Sequence, residues 1–259
     1  MARIGVFDSG VGGLTVLRAL HRRLPDASTV YLGDTARVPY GTKSPEVVIR
    51  YTRNNARFLL GHDPHLVVVA CNTASAHALE ALRRELAVPV VGVIEPGARA
   101  AAARTRSGRI GVIGTAGTIA SGAYQRALAA AIPGAEVVAR ACPLFVPLAE
   151  EGWTDGEVAR LVVERYLGDL RGAIDTLVLG CTHYPLLQQV IAEVLGPEVA
   201  LVDSAEATAA AVEDALRAID AAPAPADHRY FVTDVPARFP EIAARFLGHA
   251  PERVEQVDV

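Results

Sequence analysis

Residues 66–73 read LVVVACNT and residues 176–183 read TLVLGCTH. Each stretch is an uninterrupted apolar run that ends at a cysteine, Cys71 in the first and Cys181 in the second. Apolar runs without alternation are typical of parallel strands that helices cover on both faces. The two stretches therefore predict central strands of parallel sheets, with a thiol just beyond the carboxyl end of each.

The surroundings of the two cysteines repeat as well. RIGVFDSG, whose isoleucine lies 67 residues before Cys71, returns as RIGVIGTAG, whose isoleucine lies 71 residues before Cys181. On the other side, VVGVIEP places Glu95 24 residues after Cys71, and VALVDSA places Asp203 22 residues after Cys181. Three landmarks at near-constant spacing predict two similar units. Each unit carries one cysteine at the strand ends, where open α/β sheets bind ligands.

Short β-branched runs alternate with longer amphipathic or alanine-rich stretches along the chain. This rhythm predicts an α/β fold with mostly parallel sheets flanked by helices. The predicted strands are Arg3–Asp8, Val30–Leu32, Leu66–Cys71, Val88–Ile94, Arg109–Ile113, Glu136–Ala139, Thr176–Cys181, Val199–Asp203 and Arg229–Thr233. The predicted helices are Leu14–Leu24, Pro45–Leu60, Ala74–Leu86, Tyr124–Ala131, Glu157–Leu170, Pro185–Leu195 and Ala205–Ile219. AAPAPAD at residues 221–227 is interpreted as a linker before a last strand–helix–strand unit.

The composition argues against several classes of protein. No apolar run reaches the roughly 18 residues that span a bilayer, and the start MARIGVFDSG lacks the regions of a signal peptide. A net charge of −4 argues against a nucleic-acid binder, which usually has a basic excess. Three cysteines are too few for a disulfide scaffold, so we expect free thiols in a reducing cytoplasm. Lys43 is the only lysine, hence the only candidate for a Schiff base with pyridoxal phosphate.

Cys71 and Cys181 carry the strongest chemical signal. A thiol at the start of a helix meets oriented backbone N–H groups, which favour the thiolate that acts as a base or nucleophile. The alternative is a pair of small buried apolar side chains, because free cysteine is often buried. Their equivalence in the two repeats favours chemistry. Cys142 has no counterpart and is predicted to lie in the core, and without a C-x-x-C or H-x-x-x-H spacing we expect no metal site formed by the three cysteines and His183.

Two glycine-rich turns repeat beside these strands. FDSGVGG offers Asp8 and Ser9, and we predict an anion-binding turn rather than a dinucleotide site, because Thr15 stands where G-x-G-x-x-G needs glycine. An ordinary strand-to-helix turn is the alternative. GTAGTIASG is the counterpart in the second unit and offers Thr115 and Thr118 instead of acidic groups.

Other polar residues are grouped in two further segments. GDTARVPYGTKS, with Tyr40 and Gly41, is typical of a ligand-binding loop, although its pattern also fits a surface turn. PLAEEG offers Glu150 and Glu151. His183 lies two residues after a candidate catalytic thiol, where it could hold or share a proton.

Together these motifs resemble those of the glutamate racemases of the bacterial cell-wall pathway. The resemblance rests on FDSGVGG, GDTARVPYG, ACNTASA, GVIEPG, IGTAGTI, CPLFVPLAEEG and GCTHYPLL, spread from residue 3 to about residue 207. It implies two pseudosymmetric units with the active site in the cleft between them. The first unit would comprise residues 1–94 and 206–259, and the second residues 95–205. The implied reaction is inversion at the α-carbon of glutamate without a cofactor, which supplies D-glutamate for peptidoglycan.

The resemblance also assigns roles to individual residues. One cysteine thiolate would remove the α-proton while the other thiol protonates the opposite face, with Cys71 acting on D-glutamate and Cys181 on L-glutamate. Asp8 and His183 would support these thiols in proton transfer. Glu150 would do the same, with the adjacent Glu151 as the alternative residue for that role. Neutral donors and helix termini would bind the substrate. The implied substrate-binding residues are Asp8, Ser9, Tyr40, Gly41, Asn72, Thr73, Thr115, Thr118, Thr182 and His183.

Two other functions stay open at this point. A related two-cysteine racemase could act on aspartate or a hydantoin, and a hinged binding protein could hold an acidic small molecule without turnover. We expect a cytoplasmic homodimer whose partner is the small molecule glutamate, with no membrane contact and no nucleic acid. Some glutamate racemases bind DNA gyrase, but no feature of this sequence indicates such binding. Others carry an N-terminal extension linked to activation by a cell-wall precursor, and we expect no such activation here.

Overall fold

The computed structural model describes residues 2–217, 226–235, 237–251 and 253–259. Its strands are β1 (Arg3–Asp8), β2 (Ser28–Gly33), β3 (Leu66–Val69), β4 (Val90–Gly92), β5 (Arg109–Gly114), β6 (Glu136–Ala141), β7 (Thr176–Gly180), β8 (Ala200–Asp203), β9 (His228–Val232) and β10 (Val254–Gln256). Its helices are α1 (Leu14–Arg23), α2 (Pro45–Leu60), α3 (Asn72–Glu85), α4 (Ile94–Arg104), α5 (Ala116–Ala120), α6 (Ala123–Ala131), α7 (Phe145–Glu151), α8 (Gly156–Leu167), α9 (Gln188–Leu195), α10 (Ser204–Leu216) and α11 (Phe239–Leu247). None of the helices in the described ranges combines the length and apolar character that a membrane crossing requires.

Two parallel sheets contain these strands, and they share one strand order. The six-stranded sheet has the order β10-β9-β2-β1-β3-β4, and the four-stranded sheet has the order β6-β5-β7-β8. All pairings between the described strands are parallel. The run β2-β1-β3-β4 is therefore equivalent to β6-β5-β7-β8, and β9 and β10 extend the first sheet only. The predicted α/β fold of two repeated units is confirmed.

The two cysteine-bearing strands are the most deeply buried parts of their sheets. Every residue of β3 and of β7 is buried. In each sheet this strand lies between two neighbours, β1 and β4 in the first and β5 and β8 in the second. A fully buried valine or leucine side chain contributes about 1.5–3 kcal/mol of apolar transfer free energy. Burial of these runs therefore fixes where the chain leaves each sheet, and with it the position of the following cysteine.

The helix after β3 begins two residues earlier than the predicted Ala74. Asn72 is its first residue, because the sulfur of Cys71 accepts a hydrogen bond from the Ala74 N–H at 3.4 Å and so caps the helix. A cysteine is not among the usual capping residues, and sequence rules therefore place the start of this helix too late. The predicted strand is shortened accordingly and ends at Val69.

Three helices have no counterpart among the predicted ones. These are α4, α5 and α7, and α4 also shortens the strand predicted over Val88–Ile94 to Val90–Gly92. Their sequences IEPGARAAAAR, AGTIA and FVPLAEE contain proline or glycine near the start, which lowers intrinsic helix propensity. Tertiary packing overrides that propensity, since each of the three helices has buried residues.

The C-terminal part of the chain follows the predicted order of strand, helix and strand. These elements are β9, α11 and β10, and both strands belong to the six-stranded sheet. The helix predicted to run to Ile219 is described as far as Leu216. Residues 221–225 of the predicted linker, and Ile219, lie outside the described residues.

Hydrogen bonds to one carboxylate, that of Asp175, hold the connection between α4 and β5 in place. Asp175 accepts hydrogen bonds at 2.6–2.9 Å from the backbone N–H groups of Arg106 and Ser107 and from the hydroxyls of Thr105, Ser107 and Thr176. We expect Asp175→Ala to lower the free energy of unfolding by about 2–4 kcal/mol, because several donors lose a charged partner. Urea denaturation measures this. Asp169→Ala serves as the control and should have a much smaller effect, since Asp169 forms an exposed ion pair with Arg140.

Candidate active site

The carboxyl ends of β1, β3, β5 and β7 meet at one narrow cavity between the two sheets. Cys71 and Cys181 both line it, and each is slightly exposed, by 5% and 7%. The cavity is lined by Ser9, Gly10, Val38, Pro39, Tyr40, Gly41, Cys71, Asn72, Thr73, Thr115, Val146, Glu150, Cys181, Thr182 and His183. The two repeated thiols therefore face the same space.

Cys71 lies at the amino-terminal end of α3. Its sulfur accepts a hydrogen bond from Ala74 N–H, and its thiol donates to the hydroxyl of Ser9 at 3.4 Å. Burial, together with the negative charge of Asp8, raises the pKa of Cys71 to about 12, although these hydrogen bonds act in the opposite direction. Cys71 is therefore a thiol at neutral pH in this structure.

Asp8 lies behind the cavity wall rather than in it. The side chain is fully buried; Oδ2 accepts a hydrogen bond from Gly10 N–H at 3.0 Å, and Oδ1 has no hydrogen-bond partner. Burial raises the pKa of Asp8, while the positive charge of His183 and backbone N–H groups lower it less strongly. A buried acceptor oxygen without a partner can take up a proton or a hydrogen bond.

The glycine-rich turn after β1 packs against the segment that follows β7 in the other sheet. A side chain at Gly12 would collide with the hydroxyl of Thr182 and the imidazole of His183. Thr15, in the following helix, donates a hydrogen bond to the carbonyl oxygen of Thr182 at 3.1 Å. The absence of a side chain at Gly12 lets the turn after β1 approach the segment that carries Cys181. The sequence predicts anion binding for this turn and does not predict this packing role.

Cys181 has a different set of neighbours from Cys71. Its sulfur lies 3.8 Å from Nδ1 of His183, and Nε2 of His183 lies 3.0 Å from Oε1 of Glu150. Burial alone would lower the pKa of His183, but its hydrogen bonds with Cys181 and Glu150 and their negative charges raise it to about 10. The imidazole is therefore cationic at neutral pH, and it connects a carboxylate to a sulfur.

The structure separates the two adjacent glutamates of PLAEEG. The carboxylate of Glu150 faces His183, whereas that of Glu151 accepts hydrogen bonds from Arg238 at 3.1 and 3.3 Å. Only Glu150 of the two is among the cavity-lining residues.

Neutral hydroxyl and amide groups occupy much of the remaining wall. The hydroxyls of Thr73, Thr115 and Thr118 lie within 2.9–3.0 Å of one another, and Thr118 sits behind the other two. Asn72 accepts a hydrogen bond from the Tyr124 hydroxyl at 2.7 Å through Oδ1, while its buried Nδ2 has no partner. That N–H₂ group is a donor left available for a ligand.

Tyr40 contributes its backbone rather than its hydroxyl. The buried phenol donates a hydrogen bond to Asp34 and accepts one from Asn55 at 3.0 Å. Burial and the adjacent Asp34 raise the pKa of Tyr40 far above its usual value. These contacts hold the segment through Gly41 against the cavity, where its backbone N–H groups can meet an anion.

Known proteins resemble this chain closely. The family model described as Asp/Glu/Hydantoin racemase matches residues 5–212. The chain belongs to this racemase family. A glutamate racemase of Geobacter metallireducens is 62% identical, in a match covering 99% of this chain and 96% of that protein. The resemblance to glutamate racemases inferred from the motifs is thereby confirmed.

Solved structures of racemases agree with the fold. The glutamate racemase isoform of Bacillus anthracis matches with a TM-score of 0.95 and 43% identity, over 100% of this chain and 98% of that one. The glutamate racemase of Francisella tularensis, solved in complex with D-glutamate, matches with a TM-score of 0.93 and 35% identity, over 99% and 97% of the two chains.

Eleven of the thirteen site residues predicted for this racemase line the cavity, and Asp8 and Thr118 lie directly behind it. Sequence reasoning left out Gly10, Val38, Pro39 and Val146. All four fall inside the quoted motifs, but none has a polar side chain that would single it out within its motif. The described lining contains no arginine or lysine. Within the described ranges no three His, Cys, Asp or Glu side chains are grouped so that they could hold a metal ion.

Proposed function

We propose that this racemase interconverts L- and D-glutamate by proton transfer between the substrate α-carbon and two thiols, without a cofactor. The observation that carries the proposal is the entry of Cys71 and Cys181 into one cavity from equivalent positions of two repeated units. Inversion at a carbon needs a base on one face and an acid on the other. Two thiols on opposite units meet that need and can exchange roles between the two directions.

Proton and charge balance in this scheme without a further reactant. With L-glutamate, the thiolate of Cys181 takes the α-proton, and the electron pair left on the α-carbon takes the proton of the Cys71 thiol from the other face. The product is D-glutamate, with Cys181 as thiol and Cys71 as thiolate; the reverse direction starts from that state. The cationic imidazole of His183 would stabilise a thiolate at Cys181, and Asp8 would exchange protons on the Cys71 side.

Substrate binding would use the neutral groups of the wall. The hydroxyl of Ser9 and the backbone of Tyr40 and Gly41 suit the side-chain carboxylate, and Asn72, Thr73 and Thr182 suit the α-carboxylate. The unpartnered Nδ2 of Asn72 supports this assignment. The cavity encloses only about 50 Å³, whereas ligand pockets usually span about 300–1,000 Å³. We therefore infer that the two sheets move apart to admit glutamate and close around it to exclude water.

Glutamate is favoured over aspartate or a hydantoin by two proteins that are similar to this chain. The Geobacter relative is named a glutamate racemase, and the Francisella structure holds D-glutamate. From the motif resemblance to glutamate racemases we propose that the protein acts in the cytoplasm as a homodimer and supplies D-glutamate for peptidoglycan. We further propose that residues 1–94 with 206–259 form one domain and residues 95–205 the other.

Incubation of the purified protein with L-glutamate in D₂O, without added cofactor, tests the proposal. The α-proton NMR signal should disappear while the optical rotation falls to zero, because the second thiol delivers a solvent deuteron to the α-carbon. Binding of glutamate without either change would support the binding-protein alternative. Faster inversion of L-aspartate or of a hydantoin than of L-glutamate would overturn the substrate assignment.

A further inference from the structure

The helix α11 reaches from the end of the six-stranded sheet to the Cys181 side of the cavity. It follows β9 of that sheet along the chain, yet its side chains contact α7, which follows β6 of the four-stranded sheet. Nη1 of Arg245 donates a hydrogen bond to the carbonyl oxygen of Glu150 at 2.5 Å. Arg245 also pairs with Glu241 in its own helix, which restricts where the guanidinium can lie.

The acceptor, the carbonyl oxygen of Glu150, lies at the carboxyl end of α7, where the helix itself offers no hydrogen-bond donor. The last carbonyl groups of a helix have no partner within it, and cations are favourable there. Gly152 ends α7 with φ +76°, and a side chain at this glycine would come within 2.8 Å of the Arg245 guanidinium carbon. The sequence therefore leaves room at Gly152 for the guanidinium to cover the helix end.

A second contact from α11 reaches the imidazole itself. The Phe246 ring meets His183 edge to face, with ring centroids 5.0 Å apart and planes 75° apart, and Phe246 is fully buried. The helix thus touches both members of the pair, Glu150 at its backbone and His183 at its ring. Neither Arg245 nor Phe246 is among the cavity-lining residues, so neither is placed to touch a substrate.

We propose that Arg245 is a positioning residue for the Cys181 half of the site: it anchors the end of α7 so that the Glu150 carboxylate holds the His183 imidazole in one orientation toward the Cys181 sulfur. The inference rests on the proposed racemisation. Because α11 follows a strand of the opposite sheet, the anchor couples the closed arrangement of the two sheets to the orientation of His183.

Arg245→Met tests this, because methionine keeps an apolar stem but cannot donate the hydrogen bond. We expect kcat/KM for glutamate to fall by about 10- to 100-fold, the effect of a small misplacement of a catalytic group. The equilibrium constant of racemisation is one, so the fall must be equal in both directions. The directional signature lies instead in the α-deuterium isotope effect on kcat/KM. It should rise with L-glutamate, whose proton goes to Cys181, and fall with D-glutamate.

Matched variants separate positioning from simple loss of stability. Arg245→Lys keeps a donor and should recover most of the activity. Arg238→Met, at the residue just before α11, removes the ion pairs with Glu151 and Glu241 and should leave racemisation unchanged. Phe246→Leu should shift the isotope effects in the same sense as Arg245→Met, which gives a second reading if the methionine variant folds poorly.

The outcomes are distinguishable. Wild-type kinetics in Arg245→Met, or a lower melting temperature with unchanged isotope effects, would overturn the inference and leave the proposed function standing. An inactive wild-type protein would overturn the proposed function itself.

Discussion

Cys71→Ser and Cys181→Ser are each expected to lower the rate of glutamate racemisation by about 10²–10⁴-fold, the usual contribution of a positioned acid or base. A serine hydroxyl is similar in size to a thiol but ionises far less readily, so it can neither hold the thiolate charge nor return the proton. The loss should appear in both directions, because each direction uses both sulfurs. Circular dichroism of the glutamate solution measures the rate.

Hydrogen exchange in D₂O gives each variant its own signature. In Cys181→Ser the remaining thiol at Cys71 should still exchange the α-proton of D-glutamate slowly, whereas in Cys71→Ser the residual exchange should favour L-glutamate. Exchange without inversion is expected in both, since the opposite face has lost its acid. An identical preference in the two variants would contradict the assignment of one cysteine to each enantiomer.

The third cysteine provides the matched control. Cys142 is also buried, but its thiol is directed to the carbonyl oxygen of Arg140 at 3.8 Å, and it is not among the cavity-lining residues. Cys142→Ser retains a donor for that oxygen and should racemise glutamate at the wild-type rate. If either site variant matched this control, the two-thiol mechanism would be wrong.

The sequence was most informative where a periodic pattern and a repeat coincided. The apolar runs before Cys71 and Cys181 predict buried central strands, because a strand covered on both faces has apolar residues at consecutive positions instead of alternating apolar and polar ones. The spacing of the flanking motifs then predicts two similar units, and the two sheets share the order of their four equivalent strands. Because the carboxyl ends of parallel strands share one edge, most polar residues that follow these strands could be assigned to a single cavity.

Contacts between distant segments were beyond sequence reasoning. PLAEEG contains two equivalent glutamates, and only the fold turns Glu150 toward His183 and Glu151 toward Arg238. Gly12 resembles a glycine of a phosphate-binding turn, but here the missing side chain makes room for Thr182 and His183. No local pattern marks Arg245, because its partner is a backbone carbonyl oxygen 95 residues away.

His183→Asn is expected to lower racemisation by about 10²-fold, the lower end of the range for acid–base groups, because the residue supports a thiol rather than receiving the α-proton itself. Asparagine can still donate a hydrogen bond toward Cys181, but it carries no positive charge. The α-deuterium isotope effect should therefore rise with L-glutamate, whose proton goes to Cys181. Steady-state kinetics with labelled and unlabelled glutamate measure both quantities.

The pH profile links that loss to the charge of His183. In the wild-type protein the pKa of His183 is about 10, so the imidazole stays protonated through the neutral range and loses its proton as the pH rises through 10. If the cation is required, the alkaline fall of kcat/KM, which reports the ionisations of the free enzyme, reflects this step. Glu150→Gln removes one of the negative charges that raise this pKa, so the alkaline fall should move to lower pH.

Glu151→Gln is the control for that shift. It removes an equal charge one residue away, but the carboxylate of Glu151 faces Arg238 rather than His183. Its alkaline fall should therefore coincide with that of the wild-type protein. Equal shifts in the two variants would mean that His183 senses the net charge of this region. A shift in Glu150→Gln alone would mean that the hydrogen-bonded pair keeps the imidazole cationic beside Cys181.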